Sequence, residues 1–489
     1  MFQIVFNVYK FFKMDKNMTY KKMQTQVVVI GSGPAGYSSA FRCADLGLST
    51  VLVERYENLG GVCLNVGCIP SKSLLHISKV VKDAKSLSDT GVQFLEPIVN
   101  LEKVREWKNK IINNLNIGIK SMAEKRNIKI IVGTAKFLSV NSIFVEGNKE
   151  SVILDFENIV LAVGSSPKRL SYVPSNDPRV WDSTSALSIS NIPEKLLVIG
   201  SGIIGLEMAT FYSSFGAKVD VLDNSMYLLP HLDRDIVDSF YKIASKSFNI
   251  FLNSEISKIE SNKVGFLVSK IVNQNIKEVK LYNAILVSVG RVPNLDSLEI
   301  EKVGLNVNSH GFLEVDDQLR TGIPNIYAIG DITGQPMLAH KGIHQGRIAA
   351  EIISGKNHYF NPYAIPCILY TDPEVAWIGI TEQEAIKKDI KYESAVFPWN
   401  ALGKAISSNC SNGMTKLIFD SNTKKIIGGS VIGSNAGELL GEIGLAIEMG
   451  CDAEDIELTI HAHPTLYESI GLSAQIFQGT VTDLINSKK

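Results

Sequence analysis

No stretch of this chain reaches the roughly 18 consecutive apolar residues that a membrane-spanning helix needs, so no helix is expected to cross a bilayer. Neither sign of charge is in excess: 49 Lys and Arg stand against 50 Asp and Glu, a net charge of −1. That balance excludes the basic footprint by which a protein holds nucleic acid or an anionic lipid surface. Six cysteines in 489 residues are too few for a secreted disulfide framework. Cys43, Cys367, Cys410 and Cys451 are isolated, and a reducing compartment, the cytoplasm, is expected. No metal centre is expected. What is present, 45% hydrophobic and 20% charged residues, is the composition of ordinary globular domains, and the length calls for three or four of them. The first 23 residues, aromatic and lysine-containing (Phe2, Phe6, Tyr9, Lys10, Phe11, Phe12, Lys13), lack both the basic start and the cleavage site of a signal peptide. They are expected to be a disordered or mis-annotated extension, with Met18 as the start. The alternative is an organelle-targeting segment, which would place the protein in the mitochondrial matrix.

Two stretches repeat one pattern. Gln26 to Ile30 reads as a strand leading into Gly31-Ser32-Gly33-Pro34-Ala35-Gly36, then a helix through Leu46 and a second strand, Thr50 to Val53, ending at Glu54. Leu196 to Ile199 leads likewise into Gly200-Ser201-Gly202-Ile203-Ile204-Gly205, a helix through Phe215 and a strand, Lys218 to Leu222, ending at Asp223. Each acid lies 23 residues after its first glycine. A G-x-G-x-x-G alone is weak; between a strand and a helix, with an acid closing the next strand, it marks a dinucleotide-binding unit. The glycines permit the tight turn, the approach of backbone to pyrophosphate and close helix packing, while the acid takes a ribose hydroxyl. Asp223 would repel a 2′-phosphate and Asn224-Ser225-Met226 offer no arginine to one, so NAD is expected at the second unit.

Between these units lies Gly60-Gly61-Val62-Cys63-Leu64-Asn65-Val66-Gly67-Cys68-Ile69-Pro70-Ser71-Lys72, two thiols five residues apart before a helix start. A helix N-terminus stabilises a thiolate, and Cys68 has that position. Residues five apart in an undistorted helix lie about 140° round the axis, so a bridge needs Cys63 on irregular chain. From the residues alone the pair is either redox-active or two buried small hydrophobes. Near the C-terminus, His461-Ala462-His463-Pro464-Thr465-Leu466-Tyr467-Glu468 puts Pro464 at a first helical position, His463 at the cap and Glu468 one turn in. His463 is then an acid–base group oriented by a carboxylate, or simply a cap. Two strand-then-glycine segments, ending at Gly164 and Gly290, read as hinges around the second unit. Asn325 to Asp331 reads as a further strand ending in an aspartate, with His340 and His344 on a following helix as packing or solvent residues. Beyond about residue 365, short strands (Thr415 to Phe419, Ile426 to Ile432), a capping-box pair (Thr381, Glu384) and helically spaced Leu439, Leu440, Ile443 and Ile447 suggest a separate α+β domain.

The run GGVCLNVGCIPSK resembles the redox site of the flavin-dependent pyridine nucleotide-disulfide oxidoreductases. HAHPTLYE is similar to the HxHPTxxE signature of the branch of that family that oxidises dihydrolipoyl groups. With both glycine turns and the Asp331 segment, the likeness covers nearly the whole chain from Gln24. It implies an α/β fold of two Rossmann-like domains plus a C-terminal α+β dimerisation domain: extension 1–23, FAD-binding 24–165, NAD-binding 166–294, central 295–364 and interface 365–489. It implies a Cys63–Cys68 disulfide reduced by a dihydrolipoyl group, with Cys63 forming the mixed disulfide and Cys68 passing electrons to FAD, which reduces NAD. His463 would be the acid–base group, Glu468 its orienting partner, His461 structural, and Lys72 with Glu207 a salt bridge beside the flavin. FAD contacts are implied for Gly31, Ser32, Gly33, Pro34, Ala35, Gly36, Glu54, Arg55, Gly61, Cys63, Lys72, Ala135, Gly164, Asp331 and Ala339. NAD contacts are implied for Gly200, Ser201, Gly202, Ile203, Ile204, Gly205, Asp223, Ile256, Ser288, Val289, Gly290 and Arg291. The implied partners are a second copy, whose active site His463 completes, and the lipoyl domains and acyltransferase core of a 2-oxo-acid dehydrogenase complex or the lipoyl carrier of the glycine cleavage system. The rivals are a glutathione- or mercuric-reductase-like enzyme and a mainly structural complex subunit. Asp223, Leu64 and Ile69-Pro70-Ser71 argue against the first, and intact Cys63, Cys68 and His463 against the second.

Overall fold

A computed structural model describes residues 20–148, 150–272 and 276–485, so most of the segment read as an extension lies outside the described residues. Its end does not: the first strand, Lys21–Ile30, starts within it, because Lys21 to Met23 pair in register with Val152 to Leu154. Contacts divide the chain into two compact units.

The first unit holds the described residues up to Pro70 together with Glu102–Pro167 and Arg291–Asn361. Its sheet runs Lys129–Val132, Thr50–Glu54, Lys21–Ile30, Val152–Leu161, the first four in parallel register. The far edge of Val152–Leu161 is shared, its first half by antiparallel Ser142–Glu146 and its last three residues by parallel Ile326–Ala328. Val27 to Ile30 and Val51 to Val53 are buried without a break, as strands covered on both faces must be. Helix Pro34–Asp45 returns the chain between the first two strands and lies against helix Ala339–Ile353. The close crossing requires glycine: a Cβ on Gly346 would stand 2.4 Å from the carbonyl oxygen of Ala35. The two hinge segments meet as a short antiparallel ladder, Ser165–Pro167 on Arg291–Pro293.

The second unit holds Ser71–Leu101, Lys168–Gly290 and the described residues from Pro362 onward. It contains a parallel sheet in the order Asn249–Phe251, Lys218–Leu222, Lys195–Ile199, Ala284–Val287, Val180–Trp181, with helix Ile203–Ser214 after the second glycine turn. A three-stranded antiparallel sheet spans 254–282. The C-terminal part is a five-stranded antiparallel sheet, Cys367–Leu369, Glu374–Gly379, Ile426–Gly433, Met414–Asp420, Tyr392–Pro398, backed by helices Ala436–Met449 and Glu468–Gln478. Trp399, Phe397, Phe419, Leu440 and Ile443 fill its core, and Thr381 with Glu384 forms the capping box its spacing indicates. Lys416, 1% exposed, bridges Asp233, Asp235 and Glu382 and so ties this sheet to helix Arg234–Ala244 of the nucleotide-type sheet. Two parallel βαβ sheets and an antiparallel sheet with helices are the α/β architecture with an α+β domain that the sequence implies.

Candidate active site

The two glycine turns are built alike. Gly31 has φ +97° and Gly200 φ +103°, and a Cβ on Gly36 or Gly205 would lie 1.8 or 2.1 Å from the carbonyl oxygen of the first glycine. Gly33 and Gly202 cap their helices, and a Cβ on either would meet nothing within 4 Å. Each turn therefore has open space before a helix N-terminus, where a pyrophosphate fits. Glu54 accepts the Ser32 N–H and hydroxyl at 2.8 and 2.6 Å and the Tyr56 N–H at 3.1 Å. Asp223 accepts the Ser201 N–H and hydroxyl at 2.6 and 2.7 Å and the Ser225 N–H at 2.8 Å. Burial would raise the Asp223 carboxyl, but these donors outweigh it and hold the group below the usual aspartate range. Ser288 gives its hydroxyl to the Ile199 and Gly200 carbonyls, bracing the second turn.

The cysteine segment is anchored to the first turn. Gly60 donates its N–H to Ser32 O at 2.9 Å, and a Cβ on Gly61 (φ +58°) would stand 2.7 Å from Gly33 Cα. Cys63 does not lie on irregular chain: it sits in a one-turn helix, Gly61–Val66, and Cys68 opens a second helix, Cys68–Ser86. The break falls at Gly67 (φ −141°, ψ −111°), whose missing Cβ would be 2.8 Å from Val62 O and 3.2 Å from Cys63 Cα. Two separate helices thus free the thiols from the 140° offset of one continuous helix. Both cysteines are half-buried, and Tyr37 on the first glycine-turn helix is close enough to feel them. Burial raises its phenol, and negative charge on Cys63 and Cys68 raises it further. By contrast Cys43 is buried and apolar-walled, its thiol pushed up to about 12, and Cys367 to about 11.

One turn along the second of these helices is Lys72, whose ammonium lies 2.9 and 3.0 Å from the two carboxylate oxygens of Glu207, 4% exposed. Tyr370 completes this group, donating its N–H to Glu207 at 3.1 Å with its ring centroid 4.5 Å from Lys72 Nζ. His463 holds Glu468 through Nδ1 at 2.9 Å while its side chain is 77% exposed. It does not cap a helix starting at Pro464; the helix begins at Glu468, whose second oxygen takes the Thr465 N–H at 2.6 Å and keeps 464–467 as a turn. His461, its side chain 7% exposed, is bound to Glu442 at 2.8 Å and to Thr459 O. The Glu442 carboxylate raises its pKa against the opposing effect of burial.

Asp331 lies in the turn Gly330–Thr333 and accepts the Ser165 hydroxyl at 2.5 Å. Arg291, expected among the nicotinamide contacts, belongs to the first unit instead and places its guanidinium on Ser165 Oγ and O. The reason is the hinge ladder, which pairs Arg291 with Pro167. Lys341 and Gln345, one turn apart, grip the Asp331 turn: Lys341 donates to Gly334 O at 2.6 Å and Gln345 accepts the Gly330 N–H at 2.8 Å. Burial lowers the Lys341 pKa although Asp331 opposes it. Neither residue, nor Tyr37 or Tyr370, is marked by a motif; only the four-residue spacing of Lys341 and Gln345 on a glycine-bearing helix face hints at them. Gly164 (φ +67°) accepts the Asn294 N–H, and Ala339 opens its helix. Ala135 instead belongs to the hydrophobic cluster with Ile30, Val53 and Leu161, Ile256 pairs with Lys270 in the three-stranded sheet, and Arg55 lies over the exposed Tyr56 ring.

A cysteine pair on a segment anchored through Gly60 and Gly61 to one dinucleotide turn is what a flavin-linked disulfide oxidoreductase requires, and the chain carries a second such turn of the kind that takes a nicotinamide nucleotide; the fold and site assign the chain to that class. The family model for "Pyridine nucleotide-disulphide oxidoreductase" matches residues 25–346, and that for its dimerisation domain matches 365–474. A dihydrolipoyl dehydrogenase of Buchnera aphidicola subsp. Baizongia pistaciae is 61% identical, over 96% of this chain and 99% of its own. One of Vibrio parahaemolyticus is 56% identical, over 96% and 98%. The Cu(II) complex of the HOCl-induced flavoprotein disulfide reductase RclA from Escherichia coli aligns with a TM-score of 0.83 at 26% identity, over 93% of this chain and 99% of that one. The chain belongs to the pyridine nucleotide-disulphide oxidoreductases and, within them, to the dihydrolipoyl dehydrogenases, FAD- and NAD-dependent oxidoreductases acting on sulfur. It carries the family's dimerisation domain, and among the described residues no helix is long and apolar enough to cross a membrane.

Proposed function

We propose that Cys63 and Cys68 oxidise a dihydrolipoyl group presented on a partner protein, with His463 of a second copy as the proton acceptor. The observation that carries this reading is the pair of helices broken at Gly67, which presents two half-buried cysteines on a segment anchored through Gly60 and Gly61 to the first dinucleotide turn. In the forward direction a substrate thiol gives its proton to His463 and its sulfur attacks Cys63, forming a mixed disulfide and releasing Cys68 as the thiolate. The second substrate thiol then attacks the mixed disulfide, leaving the substrate as a cyclic disulfide and Cys63 with Cys68 as the two-electron reduced pair. A bound FAD would supply the two-electron acceptor for that pair, and NAD the final hydride acceptor. Gly31 to Gly36 with Glu54, and Asp331 braced by Ser165, Lys341 and Gln345, would hold the flavin nucleotide; Gly200 to Gly205 with Asp223 would hold NAD. Lys72, its ammonium held in an ion pair by Glu207, would stand beside the flavin, and Glu468 would fix the tautomer and orientation of His463.

A homodimer is supported by the dimerisation domain and by exposed apolar residues around the histidine run: Leu445, Met449, Leu458 and Ile460 are each at least 64% exposed. His463, with Glu468 on one nitrogen and the other facing outward, suits a site completed from another subunit. Lipoyl domains of a 2-oxo-acid dehydrogenase complex or the glycine cleavage system are the partners this chemistry requires, and the cytoplasm is the compartment that six sparse cysteines suit. Co-expression of two separately inactive chains, Cys63→Ser and His463→Gln, tests the arrangement. Random pairing in a two-fold dimer restores one good site in each hybrid, so about a quarter of wild-type dihydrolipoamide oxidation should return. No recovery in isolated hybrid dimers would mean that cysteines and histidine act within one chain.

A further inference from the structure

We infer that Asn116, on helix Leu101–Lys125, is a positioning residue for the redox segment, holding Asn65 between the two cysteines and thereby setting the balance between the Cys63–Cys68 disulfide and its dithiol. The inference rests on the redox reading of that pair.

Asn65 lies in the one-turn helix that carries Cys63, and its side chain is fully committed. The amide nitrogen donates to Leu59 O at 2.8 Å and to Gly61 O at 2.9 Å, closing the chain around the turn. Its oxygen faces Asn116, whose amide nitrogen donates to it at 2.8 Å and to Ile112 O at 3.2 Å. Asn116 is 8% exposed and its own oxygen is buried without a hydrogen-bond partner.

The orphan oxygen shows that the network has one workable polarity. Reversing the Asn116 amide would set its oxygen against Asn65 Oδ1 and Ile112 O, both acceptors. Reversing both amides would turn Asn65 Oδ1 onto Leu59 O and Gly61 O, again acceptors on acceptors. A buried polar atom left unpaired calls for an explanation, and such atoms concentrate where function requires a fixed geometry. Here the geometry held is that of the turn bearing Cys63. Two thiols held at a fixed approach have a high effective concentration for each other, which favours the disulfide. Loosening the turn should therefore favour the dithiol.

The test is a redox titration of the flavin-loaded protein without oxygen, across ratios of reduced to oxidised dithiothreitol. One reduced dithiothreitol and the enzyme disulfide give two cysteine thiols and one cyclic oxidised dithiothreitol, a transfer of two electrons and two protons. Thiols are then trapped by alkylation and counted by mass on the peptide containing Cys63 and Cys68. Asn116→Leu removes the donor at similar size, and Asn116→Asp puts an acceptor in its place. Both should move the midpoint toward the dithiol by about tenfold in ratio, about 30 mV for a two-electron couple. Asn116→Ser, which keeps a donor, should move it less. Asn65→Ser removes the clamp from its other end and should shift the midpoint the same way, which covers the case of a poorly folding Asn116 variant. Flavin-loaded variants that titrate at the wild-type ratio would overturn the inference. A wild-type protein that gains no thiols at Cys63 and Cys68 at any ratio would overturn the redox reading itself, which is a separate result.

Discussion

At the scale of single residues, Gly67 decides where the two thiols point. Its backbone breaks one helix into two, and the atom it lacks would occupy space already held by Val62 O and Cys63 Cα. Gly67→Ala should push the Cys63 turn away from Cys68, and a displacement of about an ångström in reacting groups costs on the order of a hundredfold in rate. We expect dithiol oxidation to fall to that extent while flavin content and the melting temperature stay near wild type, measured by absorbance and turnover on one preparation. The sequence showed the two cysteines and the helix start at Cys68 but not the turn at Cys63, since six residues are too few to carry a helical period. Nor did it show Asn116 against Asn65: the pair is 51 residues apart, and although Asn65 lies in the cysteine run, Asn116 belongs to no motif. The acids Glu54 and Asp223 were legible because one geometric requirement, a ribose hydroxyl at the end of a strand, fixes both their identity and their spacing.

At the scale of elements, the histidine run is held by two different carboxylates with different consequences. Glu468 orients the exposed His463, while Glu442 holds His461 against helix Glu468–Gln478, where a Cβ on Gly471 would come within 2.8 Å of the ring. The Glu442 carboxylate raises the folded-state pKa of His461 above its unfolded value of about 6.5. The stabilisation is then fully present below the unfolded value and is lost as pH rises through the folded one. Melting temperatures of wild type and Glu442→Gln should differ most at pH 5.5 to 6 and converge in alkaline buffer. A difference that is constant or grows with pH would contradict this. The helix start at Glu468 was misplaced from the sequence because Pro464 is a sound first-turn residue, whereas the Thr465 N–H donated to the Glu468 carboxylate shows that the chain turns first. Strands and helices around the two glycine turns were legible to within about a residue, except that the first strand starts at Lys21 and not Gln26, where polar residues hide its pairing with Val152–Leu161.

At the scale of the whole chain, each of the two units carries one glycine turn of the dinucleotide-binding kind, the first with the cysteine segment and the second with the histidine run. The hinge ladder of Ser165–Pro167 and Arg291–Pro293 pairs the points where the chain leaves the first unit and returns to it. It also explains why Arg291, adjacent in sequence to Gly290, ends on the Asp331 side. The repeat of the βαβ pattern made both nucleotide units visible in the sequence, whereas the grouping of residues 71–101 with the second unit depends on tertiary contacts that no local pattern encodes. As a dihydrolipoyl dehydrogenase, the chain passes electrons from a dihydrolipoyl dithiol to NAD. The most direct measurement is anaerobic reduction of NAD by dihydrolipoamide, with NADP in parallel, using the purified flavin-loaded protein. Rapid formation of NADH and little of NADPH is expected, because Asp223 disfavours a 2′-phosphate. No turnover by flavin-loaded dimer, or a preference for NADP, would contradict it.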